Sequence, residues 1–260
     1  MFDLGIYVSG LGAALLMGFG AWLLSLPRRS VSHVDSFWSL FFLLMAGVYA
    51  VMAPTLAARA YLMLALVAVW AIRLSIHITW RNWGEGEDRR YQRIRRENEP
   101  GFAWKSLYLV FGVQAFLAWV ISLPLLAAIS GTAPLGALDF AGAALWLVGF
   151  AFQAVGDQQL ARFKARPGSE GQVMDRGLWR YTRHPNYFGE ACMWWGFFLI
   201  AASAGGWWAF VSPVVITFLL LRVSGVTLLE RDIAERRPGY RDYVRRTNAF
   251  FPGPPRKVSR

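Results

Sequence analysis

Apolar residues run along the chain in seven long blocks, at about residues 4–26, 36–53, 58–80, 107–129, 137–156, 190–204 and 207–224, with polar residues collected between them. Most blocks approach the ~20 residues that a helix needs to cross a bilayer. The pattern therefore predicts an all-α integral membrane protein with seven transmembrane helices. The sixth block is short, and Gly205–Gly206 before Trp207–Trp208 predicts a tight turn at an interface. The first block follows MFDLG, which has no positive leader, and Arg28 and Arg29 come after it. That order predicts a retained first helix rather than a cleaved signal peptide. No repeat or soluble domain interrupts the blocks, so residues 1–260 read as a single membrane domain.

Cations then orient the spans. With seven crossings, segments 27–35, 81–106, 157–189 and the tail from 225 share one side and hold nearly all Lys and Arg. Arg59 is the exception near the other side, and Arg73 and Arg222 lie within spans. Positive charge marks the cytoplasmic side, which predicts the N-terminus outside and the C-terminus and long loops in the cytoplasm.

Composition agrees: 56% of residues are hydrophobic and 16% aromatic, with 13 Trp. The net charge of +11 would suit nucleic acid or anionic lipid. Its placement between spans makes membrane topology and membrane lipids the explanation, and no nucleic-acid partner is expected. The single cysteine, Cys192, excludes an internal disulfide and a cysteine-based metal site.

Polar residues inside spans are costly and point to function. Arg73 and His77 share a helix face, as do Gln153 and Asp157. His33 and Asp35 stand at the edge of the second span, and Glu190 opens the sixth. Singly each reads as an ion pair or a snorkelling side chain; together they predict a polar cavity open to the cytoplasm. The segment GEGEDRRY, with Asp88, Arg89, Arg90 and Tyr91, combines glycines that admit a close ligand with arginines that suit phosphates. It is neither a dinucleotide fingerprint nor a P-loop. In RYTRHPNYFGE, Pro185 suits the first turn of a helix, and Asn186 and Glu190 then share a face beside Tyr187. The tail is helical in pattern before Pro238. It is either a lipid-binding basic tail or a clamp in which Tyr240 and Tyr243, with Arg241, Arg245 and Arg246, hold a nucleotide.

RYTRHPNYFGE, followed after one hairpin by ERRPGYRDYVRRTNAFFP, resembles the steroid 5-alpha-reductase superfamily and most of all its bacterial membrane branch. GEGEDRRYQRIR and HVDSFW resemble that branch too, so the likeness covers nearly the whole chain and is strongest from residue 153. The resemblance implies a seven-helix fold in the inner (cytoplasmic) membrane that binds NADPH from the cytoplasmic side. It also implies reduction of a lipophilic enone, such as a 3-oxo-Δ4 steroid, that enters from the bilayer. Asn186 and Glu190 match the family's nicotinamide-holding motif, Asp157 its aspartate closing the fifth helix, and Gln153 a position where Asn is usual. Lys164 and Arg166 match a basic phosphate contact, Arg73 an arginine low in the third helix, and Tyr243 and Arg246 a C-terminal Tyr/Arg pattern. Arg180, His184, Tyr187 and Tyr240, with residues 88–91, complete the cofactor site it implies.

Where the family holds the ketone with Gln-Glu and a Tyr, this chain offers His33, Asp35 and Trp70. A protonated Asp35, assisted by His33, is the expected donor to the ketone, and no metal is expected. The pattern Arg-His-Pro-x-Tyr-x-Gly-Glu is shared with membrane methyltransferases of the isoprenylcysteine or phospholipid type, which use S-adenosylmethionine; that is the alternative. A transporter or scaffold predicts polar groups throughout the membrane thickness, whereas here they are expected at one side only.

Overall fold

The structure is a computed structural model that describes residues 2–223 and 237–256. These form helices α1 (Leu4–Arg28), α2 (Val34–Met52), α3 (Ala58–Arg81), α4 (Arg89–Asn98) and α5 (Phe102–Ser106). A π-helical stretch, Leu107–Gly112, joins α5 to α6 (Val113–Ile121), and α7 is Leu123–Ile129. Then come α8 (Ala137–Lys164), α9 (Pro185–Ser203), α10 (Val211–Phe218) and α11 (Tyr240–Arg246). There is no strand among the described residues. Helices α1, α2, α3, the α5–α6 run Phe102–Ile121 and α8 are long and apolar enough to cross a membrane, and Trp207–Arg222 is a shorter apolar run. The chain is thus all-α and compatible with an integral membrane protein.

Two boundaries differ from the sequence expectation. The fourth apolar block does not run unbroken to residue 129. It stops at Ile121, turns at Ser122 and restarts as α7 with Pro124 in the first turn, because proline cannot donate to the preceding turn. The polar segment 81–106 contains a helix, α4, capped by the Asp88 side chain accepting from Arg90 N–H at 2.8 Å. Helix α9 starts at Pro185, the residue that the sequence places in the first turn of a helix. The charged, helix-patterned part of the tail before residue 237 lies outside the described residues.

The chain divides into two compact units, Met1–Asp139 with Ile200–Ala209, and Phe140–Leu199 with Phe210–Arg260. In the first, α2 packs against α1, α3, α6 and α7. Tyr7 and Trp119 stack at 4.3 Å and exchange hydrogen bonds with each other's carbonyls. Tyr49 shares a 2.8 Å hydrogen bond with Ser122, and its ring lies where a Cβ on Gly10 would be, 2.5 Å away. A closed ionic knot joins three helix ends. Arg59 at the start of α3 donates to both Asp139 oxygens, at 2.8 and 2.9 Å, and to the carbonyls of Ala133 and Pro134. Asp139 also accepts from Gly136 N–H and from the Ser203 hydroxyl. Asp139 and Ser203 thus join Arg59, the cation that the sequence sets apart from the others. Arg59 sits at the opposite end of α3 from Arg73 and His77, with a buried partner 80 residues away.

In the second unit, glycines seven residues apart line the facing sides of α8 and α9. A Cβ on Gly149 would come within 2.5 Å of the Gly189 carbonyl oxygen, and one on Gly196 within 2.6 Å of that of Gly142. The helices run antiparallel with their backbones in near contact, as small residues allow in membrane helix pairs.

Candidate functional site

The glycine seam delivers the first cluster. With no side chain on Gly149 or Gly189, Gln153 of α8 reaches Glu190 of α9 and donates its amide N–H to Oε2. The other oxygen accepts from Trp194 Nε1, one turn on, at 3.1 Å. Near the end of α8, Asp157 accepts from Asn186 Nδ2 at 3.2 Å. Gln153, Asp157, His184 and Glu190 are all at most 7% exposed, and Asn186 is half-buried. The His184 ring stacks flat on Tyr187 at 5.5 Å. Four residues named from the sequence, Gln153, Asp157, Asn186 and Glu190, are therefore brought together.

The other half of RYTRHPNYFGE seats the C-terminal segment. Thr182 donates to the Phe250 carbonyl at 2.8 Å, Arg183 N–H to that of Asn248, and the Arg183 guanidinium to that of Thr247 at 2.6 Å. Tyr243, expected at the cofactor, is 2% exposed and its hydroxyl donates a hydrogen bond to the Trp179 carbonyl, while Trp179 Nε1 donates to that of Gly156. Tyr240 is buried beside Tyr243. Arg246 lies 3.5 Å from Asp175. Lys164, Arg166 and Arg180 are exposed. Thr182, Arg183 and Trp179 are the functional-looking residues whose role the sequence misses, because their partners are backbone carbonyls.

The first unit holds a separate cluster built by α4. Its buried Tyr91 packs with Trp22, Val31, Phe102 and Phe111. That inserts the Tyr91 hydroxyl beside α2, where it donates to Asp35 Oδ1 at 2.6 Å and accepts from Gln114 at 3.1 Å. Arg90 donates to Asp35 Oδ2 at 2.6 Å. Both Asp35 oxygens thus accept hydrogen bonds, one from a cation, which corrects the expectation of a protonated, donating Asp35. Burial and the neighbouring Asp35 push the Tyr91 phenol well above its ordinary value. His33 Nε2 meets the Ala21 carbonyl at 2.8 Å and ties α2 to α1. Arg90, expected at phosphates, and Tyr91, expected at the cofactor, turn inward; Arg89 stays exposed. Arg73 and His77 line a groove along α3.

The same loop clasps residues 29–32. Glu87 accepts from Val31 N–H at 3.0 Å and pairs with Arg95 at 2.8 Å, Arg95 also donates to the Arg29 carbonyl, and Asp88 N–H donates to Ser32 Oγ at 2.7 Å. Burial alone would raise the Glu87 and Asp88 carboxyls, but hydrogen bonds from Arg95 and Val31 to the first, and from Arg90 to the second, outweigh it and hold both below the usual range. Groups that titrate lower folded than unfolded contribute stability that is whole above the unfolded values, about 4. It is lost as pH falls through the depressed folded values. Hydrogen-exchange protection of α4 amides is therefore expected to hold from neutral pH to about 5 and to decline in stronger acid. Glu87→Gln should be less protected at neutral pH and show a weaker acid decline; an unchanged profile would separate Glu87 from the clasp.

The family described as "Protein of unknown function (DUF1295)" matches residues 21–247. "Uncharacterized protein C594.04c" of Schizosaccharomyces pombe is 27% identical over 282 aligned residues, covering 95% of this chain and 79% of its own. No solved structure matches the chain significantly.

Proposed function

Because the chain belongs to the DUF1295 family, a family described only as of unknown function, its activity is read from its own residues, and we propose that it is an NADPH-dependent membrane reductase acting on the C=C bond of a lipophilic enone. The observation that carries this reading is the buried, mutually bonded set Gln153–Glu190–Trp194 and Asp157–Asn186, next in sequence to the exposed cations Lys164, Arg166 and Arg180. That donor set fits the cofactor. An amide side chain has two donors and an acceptor, so Asn186, fixed by Asp157, retains capacity for a carboxamide. The cations suit phosphates, the 2′-phosphate included. Bound there, NADPH supplies the hydride for the β-carbon of the enone, and a proton from water completes the saturated ketone. Gln153 and Trp194 hold the Glu190 carboxylate in one orientation. The proposal includes seven spans, an outside N-terminus and residence in the cytoplasmic membrane, so that substrate arrives through the lipid.

The test is equilibrium binding of NADPH and of S-adenosylmethionine to detergent-purified protein, then enone-dependent NADPH oxidation. NADPH is expected to bind. Asn186→Ala and Glu190→Ala are each expected to weaken it about ten-fold or more, the scale of a hydrogen bond to a charged group. Binding of S-adenosylmethionine without NADPH would replace the reductase by a methyltransferase.

A further inference from the structure

Helix α3 bears an open groove of about 710 Å³ whose lining falls on one helix face. Val69, Ile72 and Ile76 form its apolar wall, Arg73 and His77 are its charged and polar groups, and Trp80 stands at one end. Val69, Ile72, Ile76 and Trp80 are 49–65% exposed, which in a membrane-crossing helix means contact with lipid. From this geometry we propose that the groove binds an anionic phospholipid, its phosphate on Arg73 and His77 and an acyl chain along Ile72, Val69 and Ala68.

Depth is the first argument. The 24 residues of α3 extend ~36 Å, about 6 Å more than a hydrocarbon core of ~30 Å. Arg73 lies eight residues before Arg81, the last residue of α3. With the helix centred, its Cα is ~9 Å inside the hydrocarbon. A guanidinium there, on a lipid-facing groove, is stabilised by snorkelling and by headgroups and water drawn inward. Arg73 and His77 each also interact within the protein. A guanidinium has five donors and a protonated or neutral imidazole at least one, so the phosphate is an additional partner rather than a replacement.

Order along the helix is the second argument. From the Arg81 end the groove presents Trp80, then His77 and Ile76, then Arg73 and Ile72, then Val69 and Ala68. An indole at the mouth, cation donors next and aliphatic wall deepest match interface, phosphate and acyl chain in that order. A soluble phosphate compound would gain nothing from the apolar end. The proposal does not depend on the reductase reading.

The experiment uses full-length protein in detergent with phosphatidylglycerol or phosphatidylcholine carrying the same brominated acyl chains. Quenching is read as the difference between the parent and Trp80→Phe, which isolates Trp80. Phosphatidylglycerol is expected to quench at about five-fold lower concentration, the scale of one arginine near an anionic headgroup. Arg73→Gln should abolish that preference. If Arg73→Gln fails to fold, Ala68→Phe, which fills the deep end and leaves the cations, should weaken phosphatidylglycerol binding several-fold. Equal quenching by the two lipids in the parent would overturn the proposal. So would a preference that survives Arg73→Gln, unchanged affinity in Ala68→Phe, or displacement of the lipid by equimolar inorganic phosphate.

Discussion

Arg59→Met is expected to destabilise the first unit by ~3–5 kcal/mol, the usual result of breaking a buried ion pair from one side. Both side chains are fully buried, and Asp139 would keep its charge with only Gly136 N–H and Ser203 to answer it. The carbonyls of Ala133 and Pro134 would lose their donor as well. Charge is what the argument turns on, so Arg59→Met combined with Asp139→Asn should recover part of the loss. The two changes together remove the uncompensated carboxylate but not the orphaned carbonyls. Thermal unfolding of the detergent-solubilised protein measures both. A single variant as stable as the parent would mean that water or lipid solvates the knot.

That knot also marks where sequence reading stops. Apolar block lengths report helix existence because each helix satisfies its own backbone within the bilayer; α1, α2, α3 and α8 are legible for that reason. Arg59 is visible as a cation on the wrong side of the topology, but nothing local names Asp139, which looks like an acid at a helix start. The same holds for α4. Asp88 as a cap and Tyr91 and Ile94 on one face are local signals, yet the arginines around them conceal a helix whose purpose is to insert Tyr91 beside Asp35. Where residues need only share a helix face, as Asn186 and Glu190 do, spacing suffices. Where the partner is a carbonyl of a distant segment, as for Arg183 and Thr182, composition carries no trace. A cofactor motif and a docking seat for the C-terminal segment then look alike within RYTRHPNYFGE.

Gly189→Ala should damage the second unit more than any deletion in its polar cluster. The added Cβ would overlap the Gly149 carbonyl oxygen and come within 2.6 Å of Gln153 N, both backbone atoms that cannot swing aside. Helices α8 and α9 must then part, at a cost of ~1–3 kcal/mol for an overpacked interface, and Gln153 is drawn away from Glu190. The expected result is a lowered unfolding temperature together with loss of NADPH binding, whereas Glu190→Ala should lose binding at a smaller cost in stability. Gly47→Ala is the control: nothing lies within 4 Å of its Cβ position in α2. Removing a helix-interior glycine there should be neutral or stabilise by ~0.5–1 kcal/mol. If Gly189→Ala behaves like Gly47→Ala, the two backbones are not in contact. The heptad spacing of Gly142, Gly149 and Gly156 is in the sequence, but it gains meaning only against Gly189 and Gly196. The glycine of the Asn-x-x-Gly-Glu motif is thus required by helix packing, and the neighbouring glutamate reaches its partner because that packing is close.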